Sequence, residues 1–290
     1  MRAPTEKLVL GTAQFGLKYG INNLIGKPSD ETIWEILNYA FDAGIEILDT
    51  ADAYGRASEL IGSFHSQTRK RFKVNTKFIC EGKIGVTKQL ERSLEELCVS
   101  QINVLFYHHF DDLKNYKNVF QELKKLKLEK LINKIGVSVY NNTDLNKAIE
   151  TEEMDCIQLP FNLLDNYHQR GELLKKAKER NKEVQVRSVF LQGLFFKDLN
   201  NYPDYLKPLK KYVEEIKIIA EAASKSMQEL ALGYVLAEDT IDYLVIGVDT
   251  KAQLENNIIC SGKSLSSDTK KKIDNIAVLE TDLLYPYNWK

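Results

Sequence analysis

Eight short apolar runs recur along the chain: residues 7–12 (KLVLGT), 45–50 (IEILDT), 72–77 (FKVNTK), 102–108 (INVLFYH), 134–138 (KIGVS), 156–160 (CIQLP), 184–188 (VQVRS) and 243–248 (YLVIGV). Most are rich in Val, Ile and Leu without strict alternation, the pattern of strands buried on both faces of a parallel sheet. Amphipathic helices fit between them. Over 30–43, Ile33, Ile36, Leu37, Ala40 and Phe41 share one helical face, with Ser29 placed to cap the start and Gly44 the end. Residues 86–98 put Val86, Leu90, Leu94 and Leu97 on one face, and 119–131 do the same with Phe120, Leu123, Leu126 and Leu131. Leu209, Tyr212, Val213, Ile216 and Ile219 form another stripe, and "SMQE" (226–229) reads as a capping box. Strand–helix alternation repeated eight times predicts an α/β fold of the (β/α)8 TIM-barrel type, one domain over 1–290, with a long helical insertion before the eighth strand. An open doubly wound sheet would call for GxGxxG after the first strand; "GTAQFG" (11–16) lacks that spacing.

Composition narrows the function classes. At 43% hydrophobic and 28% charged residues the chain is ordinary for a soluble globular protein. Lys+Arg 40 against Asp+Glu 41 leaves a formal charge of −1, so a polyanion-binding surface is not expected. The basic runs Arg69-Lys70-Arg71 and Lys270-Lys271-Lys272 read as solvated faces. Cysteines at 80, 98, 156 and 260 have no CxxC spacing and read as buried free thiols in a reducing compartment, with no metal site expected. Neither a signal peptide nor a membrane span is read, which points to the cytoplasm.

In such barrels chemistry gathers at the C-terminal strand ends. The second predicted strand ends at Asp49, with Tyr54 in the loop after it. The third ends at Lys77 and the fourth at His108. Singly, each has a plain structural reading: a turn cap, a packing aromatic, a solvated charge, a satisfied core histidine. Together on one rim they suit proton delivery to a carbonyl oxygen. A free phenol has a pKa near ~10. An ammonium beside it stabilises the phenolate and should lower that value, and a carboxylate keeps the ammonium charged. A neutral imidazole can orient the substrate oxygen. With no obvious nucleophile, proton donation coupled to hydride transfer fits better than hydrolysis.

The ordered stretches "LGTAQFG" (10–16), "DTADAYG" (49–55), "SELIG" (58–62), "NTK" (75–77), "INVLFYHH" (102–109), "IGVS" (135–138), "IQLPFN" (157–162), "RSVFLQG" (187–193) and "LENN" (254–257) resemble the aldo-keto reductases over nearly the whole chain. The resemblance implies a barrel that binds NADPH or NADH and reduces carbonyls, or oxidises alcohols, with Tyr54 as acid/base. Asp49 and Lys77 would support the phenol, and His108, closing its strand ahead of His109, would orient the substrate. It also implies cofactor contacts at Thr12, Ser138, Gln158, Arg187, Ser188, Gly193, Gly247, Gln253 and Asn257, with Ser138 and Gln158 at the carboxamide and Asn257 near the adenine.

Three departures stand out. Val139 follows Ser138 where the family often has Asn. Arg187 replaces the aromatic that usually stacks on the nicotinamide. Gly247 and Gln253, with Asp249 between, stand where members selective for the 2′-phosphate often carry Lys and Arg. Family habit slightly favours NADPH and this local sequence weakens the preference, with Lys251 the first suspect for a missed phosphate ligand. The expected substrate is a small carbonyl or sugar-related molecule, without nucleic acid or membrane partners; oligomeric state is not readable. One alternative is a cofactor-binding regulatory or interaction protein with little turnover. Another is an unrelated phosphate-binding barrel lyase or isomerase using "LQG" and "VIGV" as phosphate loops.

Overall fold

Eight strands, Leu8–Gly11 (β1), Ile47–Asp49 (β2), Lys73–Phe78 (β3), Ile102–Tyr107 (β4), Ile132–Ser138 (β5), Cys156–Pro160 (β6), Glu183–Arg187 (β7) and Tyr243–Gly247 (β8), close into a parallel barrel in sequence order. The structure is a computed structural model that describes residues 4–23, 26–80, 84–115 and 119–289. Each predicted run carries a strand, with shifted ends. Ile45 lies before β2, in the turn that closes the preceding helix, where its N–H donates to Ala40 O. Lys77 is followed by Phe78 in β3, and His108 lies one residue past β4.

Local chemistry sets the helix ends. Helix Asp30–Asp42 starts where Ser29 Oγ accepts from Thr32 N–H and stops at Gly44, whose φ of +87° suits a residue without a Cβ. Helix Val86–Leu97 ends one residue early, because Cys98 takes a left-handed conformation. Helix Val119–Leu128 ends before Leu131, at Lys130, which has a φ of +60°. Ser226 and Glu229 form the expected reciprocal cap on helix Met227–Leu236. That helix and Lys210–Ala222 lie in the segment between β7 and β8.

The strand register decides what the barrel encloses. Side chains alternate along a strand, so residues facing each other across the ladder share a face. Gly11 pairs with Asp49, Asp49 with Asn75, Lys77 with Phe106, Phe106 with Gly136, Ser138 with Gln158, Pro160 with Arg187, and Gly11 with Gly247. By this parity Asp49, Lys77, Ser138, Gln158, Arg187 and Gly247 all belong to one face, the inner one. Below them lie the apolar Val9, Ile47, Val245, Val104, Phe106 and Cys156. Asn103 donates to Asn75, and Asn75 to Gln185, across the same interior. The opposite face packs Leu8, Leu10, Leu48, Val74 and Leu105 against the helices, which explains the continuous apolar runs.

The surface basic runs are neutralised locally: Lys70 pairs with Asp42, and Lys270 with Glu238 and Asp274. The expectation of four buried thiols needs correction. Cys156 and Cys260 are buried and Cys80 is half-buried, but Cys98 is exposed at its helix end. No described helix is long and apolar enough to cross a membrane, and no described His, Cys, Asp and Glu residues cluster as metal ligands.

Candidate active site

Asp49 and Lys77 meet at the inner C-terminal rim. Lys77 Nζ donates to Asp49 Oδ1 at 2.5 Å and to Thr50 O at 3.0 Å, and the two side chains are only 2% and 5% exposed. Burial lowers the pKa of the ammonium while Asp49 opposes that shift. Thr12 fixes the carboxylate's backbone, donating to Asp49 O at 3.0 Å from both its N–H and its hydroxyl. Gln158 Nε2 donates to the second carboxylate oxygen, Oδ2, at 2.8 Å.

Tyr54 sits directly above this pair, its ring centre 5.4 Å from Lys77 Nζ. Its turn is held by Tyr54 N–H donating to Ala51 O and by Gly55 at φ +55°. A Cβ on Gly16 would collide with the Tyr54 carbonyl, so the glycine after β1 gives the tyrosine loop its seat. The phenol does not behave as the sequence suggested. Its pKa is raised, by burial first and then by Asp49, with Arg187 opposing. Desolvation of the phenolate and the charge of Asp49 together outweigh the pull of the nearby guanidinium.

His108 completes the group. Its backbone N–H donates to Phe78 O, extending the β3–β4 ladder by one residue, and its ring lies edge-on to Tyr54 at 6.5 Å. Burial, with help from Lys77, His109 and Arg187, pushes the imidazole pKa down to about 3. The ring is neutral at working pH, and its buried Nδ1 has no partner among the described residues.

A cleft of about 430 Å3 opens from Asp49 and Tyr54, along Thr12, Gly247 and the loop after β7, to Gln253 and Asn257. Among the sequence candidates Thr12, Asp49, Tyr54, Arg187, Ser188, Gly193, Gly247, Gln253 and Asn257 line it. Lys77, His108, Ser138 and Gln158 stand one contact back, through Asp49, Tyr54 and Arg187. A Cβ on Gly247 would displace the Gln14 amide, which lies over it. The loop after β7 holds Ser188, Leu191, Gln192 and Gly193 at positive φ, a cluster of backbone strain of the kind found at ligand clamps. Tyr19, Asn22 and Phe196, which line the cleft from loops, carry no local pattern, and Gln192 is marked in the sequence only as part of "RSVFLQG".

The cleft suits a dinucleotide on its own donor set. Gln158, one contact behind the cleft wall, is fully buried, one amide proton is used on Asp49, and Oε1 has no partner among the described residues. That leaves a buried acceptor for a ligand N–H, such as one from a carboxamide. At the other side Gln228 Nε2 donates to Asn257 Oδ1 at 2.5 Å and Gln253 Oε1 accepts from Asp249 N–H. Asp249 Oδ1 accepts from Asn23 Nδ2 at 3.1 Å. Lys251 is engaged elsewhere, with Glu255 at 3.3 Å and over the Tyr39 ring.

Arg187 ends β7, and no described carboxylate forms an ion pair with it. Its guanidinium lies 4.1 Å from the Tyr140 ring centre, and Nη2 donates weakly to Ser138 Oγ and Val139 O. Tyr285 and Tyr287 pack on the same Tyr140 ring. The C-terminal aromatics thus form a layer behind Arg187, outside the described cleft lining.

The sequence model of the Aldo/keto reductase family matches residues 7–278. The chain is 25% identical to the aldo-keto reductase YhdN of Bacillus subtilis, over 93% of this chain and 89% of that protein. It is 24% identical to the D-threo-aldose 1-dehydrogenase of a Pseudomonas species, over 85% and 89% of the two chains. Among solved structures it resembles aldo-keto reductase AKR11C1 from Bacillus halodurans in its holo form, with a TM-score of 0.75, 21% identity and 94% of each chain covered.

Proposed function

The chain belongs to the aldo/keto reductase family, and from that premise we propose that Tyr54 moves the proton in its reaction. The protein is a nicotinamide-dependent oxidoreductase acting on small carbonyl or alcohol substrates. The cofactor, when bound, supplies or accepts the hydride at the substrate carbon. The rest of the chemistry falls to the chain.

In the reducing direction Tyr54 gives its proton to the oxygen of the carbonyl as negative charge develops there. Burial and Asp49 keep the phenol protonated through the neutral range, so the proton is in place beforehand. As it leaves, the ammonium of Lys77, held by Asp49 and Thr50, stabilises the phenolate from beneath the ring. The neutral His108 orients the carbonyl oxygen without competing for the proton. Gln158 Oε1, with Ser138, would hold the carboxamide of the nicotinamide. Gly247, Gln253 and Asn257 hold the other end. The substrate is a hydroxylated, sugar-like carbonyl, a reading supported by the aldose dehydrogenase relative and by the polar Asn22 and Gln192 on the cleft wall.

The observation that carries this reading is the buried Lys77–Asp49 pair directly beneath Tyr54. The test is Tyr54→Phe. General acid catalysis contributes roughly 10²–10⁴-fold, so turnover should fall by that order while fluorescence titration shows unchanged cofactor affinity. A variant that keeps most of its turnover would remove Tyr54 from the role.

A further inference from the structure

Arg187 is the one cation among the described residues that line the cleft. No described carboxylate pairs with it, and its two hydrogen bonds, at 3.4 and 3.3 Å, both use Nη2. Among the described residues no protein acceptor takes the N–H groups of Nε and Nη1. A guanidinium offers five donors in a planar fork matched to oxyanions. Here that fork is left largely open beside Tyr54.

The side chain is also pre-organised. One face of the guanidinium lies on Tyr140. Tyr140 is flanked by Tyr287 at 4.6 Å and Tyr285 at 5.8 Å. Its carbonyl accepts from Arg170 Nη2 at 2.5 Å, and Arg170 is anchored in turn by Asp165 in a fully buried pair. Stacking occupies the face of the guanidinium and leaves its in-plane edge for a bidentate partner, with little ordering entropy left to lose. The carboxylate of Asp49 is ion-paired with Lys77 rather than with Arg187. Stacking on the nicotinamide instead would set a cation against the positively charged oxidised ring.

We propose that Arg187, seated on Tyr140, is a specificity-determining anion clamp, and that the preferred substrates carry a carboxylate or phosphate within reach of the reacting carbonyl. The proposal rests on the oxidoreductase reading of the same cleft and deepens it. Tyr140 is a positioning residue that acts through Arg187. The field of the clamp already reaches the proton-transfer group, since Arg187 pulls the Tyr54 pKa downward against burial.

The test compares 4-carboxybenzaldehyde with the nearly isosteric 4-formylbenzamide, and a phosphorylated with an unphosphorylated hydroxyaldehyde. Losing a charge-assisted hydrogen-bond pair should raise KM for the anionic member roughly tenfold to a hundredfold in Arg187→Ala, with a much smaller change for its neutral partner. Arg187→Lys should recover part of the difference. Whichever pair shows the effect identifies the anion. In the unmutated protein KM for the anionic member should rise with added salt and that of the neutral member should not. This second measurement holds even if Arg187→Ala does not fold. Equal losses on charged and neutral substrates would overturn the proposal. So would a loss confined to cofactor affinity, which would assign Arg187 to the cofactor's own phosphates. Failure of the acid assignment is read separately: Tyr54→Phe should lose turnover on both members of each pair yet still bind 4-(hydroxymethyl)benzoate through Arg187.

Discussion

Gln158 Nε2 donates to Asp49 Oδ2 at 2.8 Å, which ties a residue proposed to hold the nicotinamide to the ion pair beneath Tyr54. The bond fixes the amide orientation and leaves Oε1 as a buried acceptor without a partner among the described residues. An unmet buried acceptor costs about 1–3 kcal/mol, which a ligand N–H recovers on binding. Gln158→Leu should therefore weaken cofactor binding by roughly tenfold, about 1.4 kcal/mol, measured by fluorescence titration. An unchanged dissociation constant would place the carboxamide elsewhere.

The Lys77–Asp49 pair predicts a separation of stability from rate. Removing one member of a buried pair strands the other and costs about 3–5 kcal/mol. Lys77→Met should lower the melting temperature and abolish most turnover. Adding Asp49→Asn removes the stranded charge, so the double variant should regain much of the stability and none of the rate. If stability and rate return together, Lys77 serves only structure.

His108 predicts a pH signature. Its folded pKa, pushed down to about 3, lies below the ordinary imidazole value of 6.5. Between those values the unfolded chain takes up a proton that the folded chain does not, so stability is full above pH 6.5 and falls as pH drops toward 3. The slope from this one group is about 1.4 kcal/mol per pH unit. Denaturant titrations of His108→Gln should show a slope in that window shallower by about one proton. The wild-type rate should show no imidazole inflection between pH 5 and 8; one that vanished in His108→Gln would show that the ring titrates in the working enzyme.

The barrel was legible because each strand is buried on both faces, which leaves short apolar runs punctuated by helical stripes. The polar candidates were legible because strand parity carries Asp49, Lys77 and Arg187 to one interior rim. What the sequence hid depends on loops meeting in space. Tyr140 reaches Arg187 across β6, and Asn23 reaches Asp249 over 226 residues of separation. Neither has a local pattern. The direction of the Tyr54 shift was hidden for another reason: it depends on how deeply the phenol is buried and how close Asp49 lies, and only geometry decides that. The place of the C-terminal aromatics has no local pattern either: Trp289 Nε1 donates to Leu283 O, and Tyr285 and Tyr287 pack on Tyr140.

The last prediction concerns the two cofactor forms. A 2′-phosphate wants a cation near the second ribose, and the described residues on that side of the cleft are Gly247, Asp249, Gln253, Asn257 and Gln228. Lys251, the nearest lysine in sequence, is held by Glu255 and Tyr39. Asp249 is positioned by Asn23, and burial raises its pKa. A carboxylate there accepts ribose hydroxyls and opposes a phosphate, which offsets the family's usual preference for NADPH. Both forms should bind, with dissociation constants within roughly tenfold of each other, about 1.4 kcal/mol. Gln253→Arg combined with Asp249→Ser should shift the ratio toward NADPH by roughly tenfold to a hundredfold by supplying a charge-assisted bond and removing the repulsion. The shift should shrink with added salt. A wild-type preference for NADPH above about a thousandfold, on the order of 4 kcal/mol, would require phosphate ligands other than these residues.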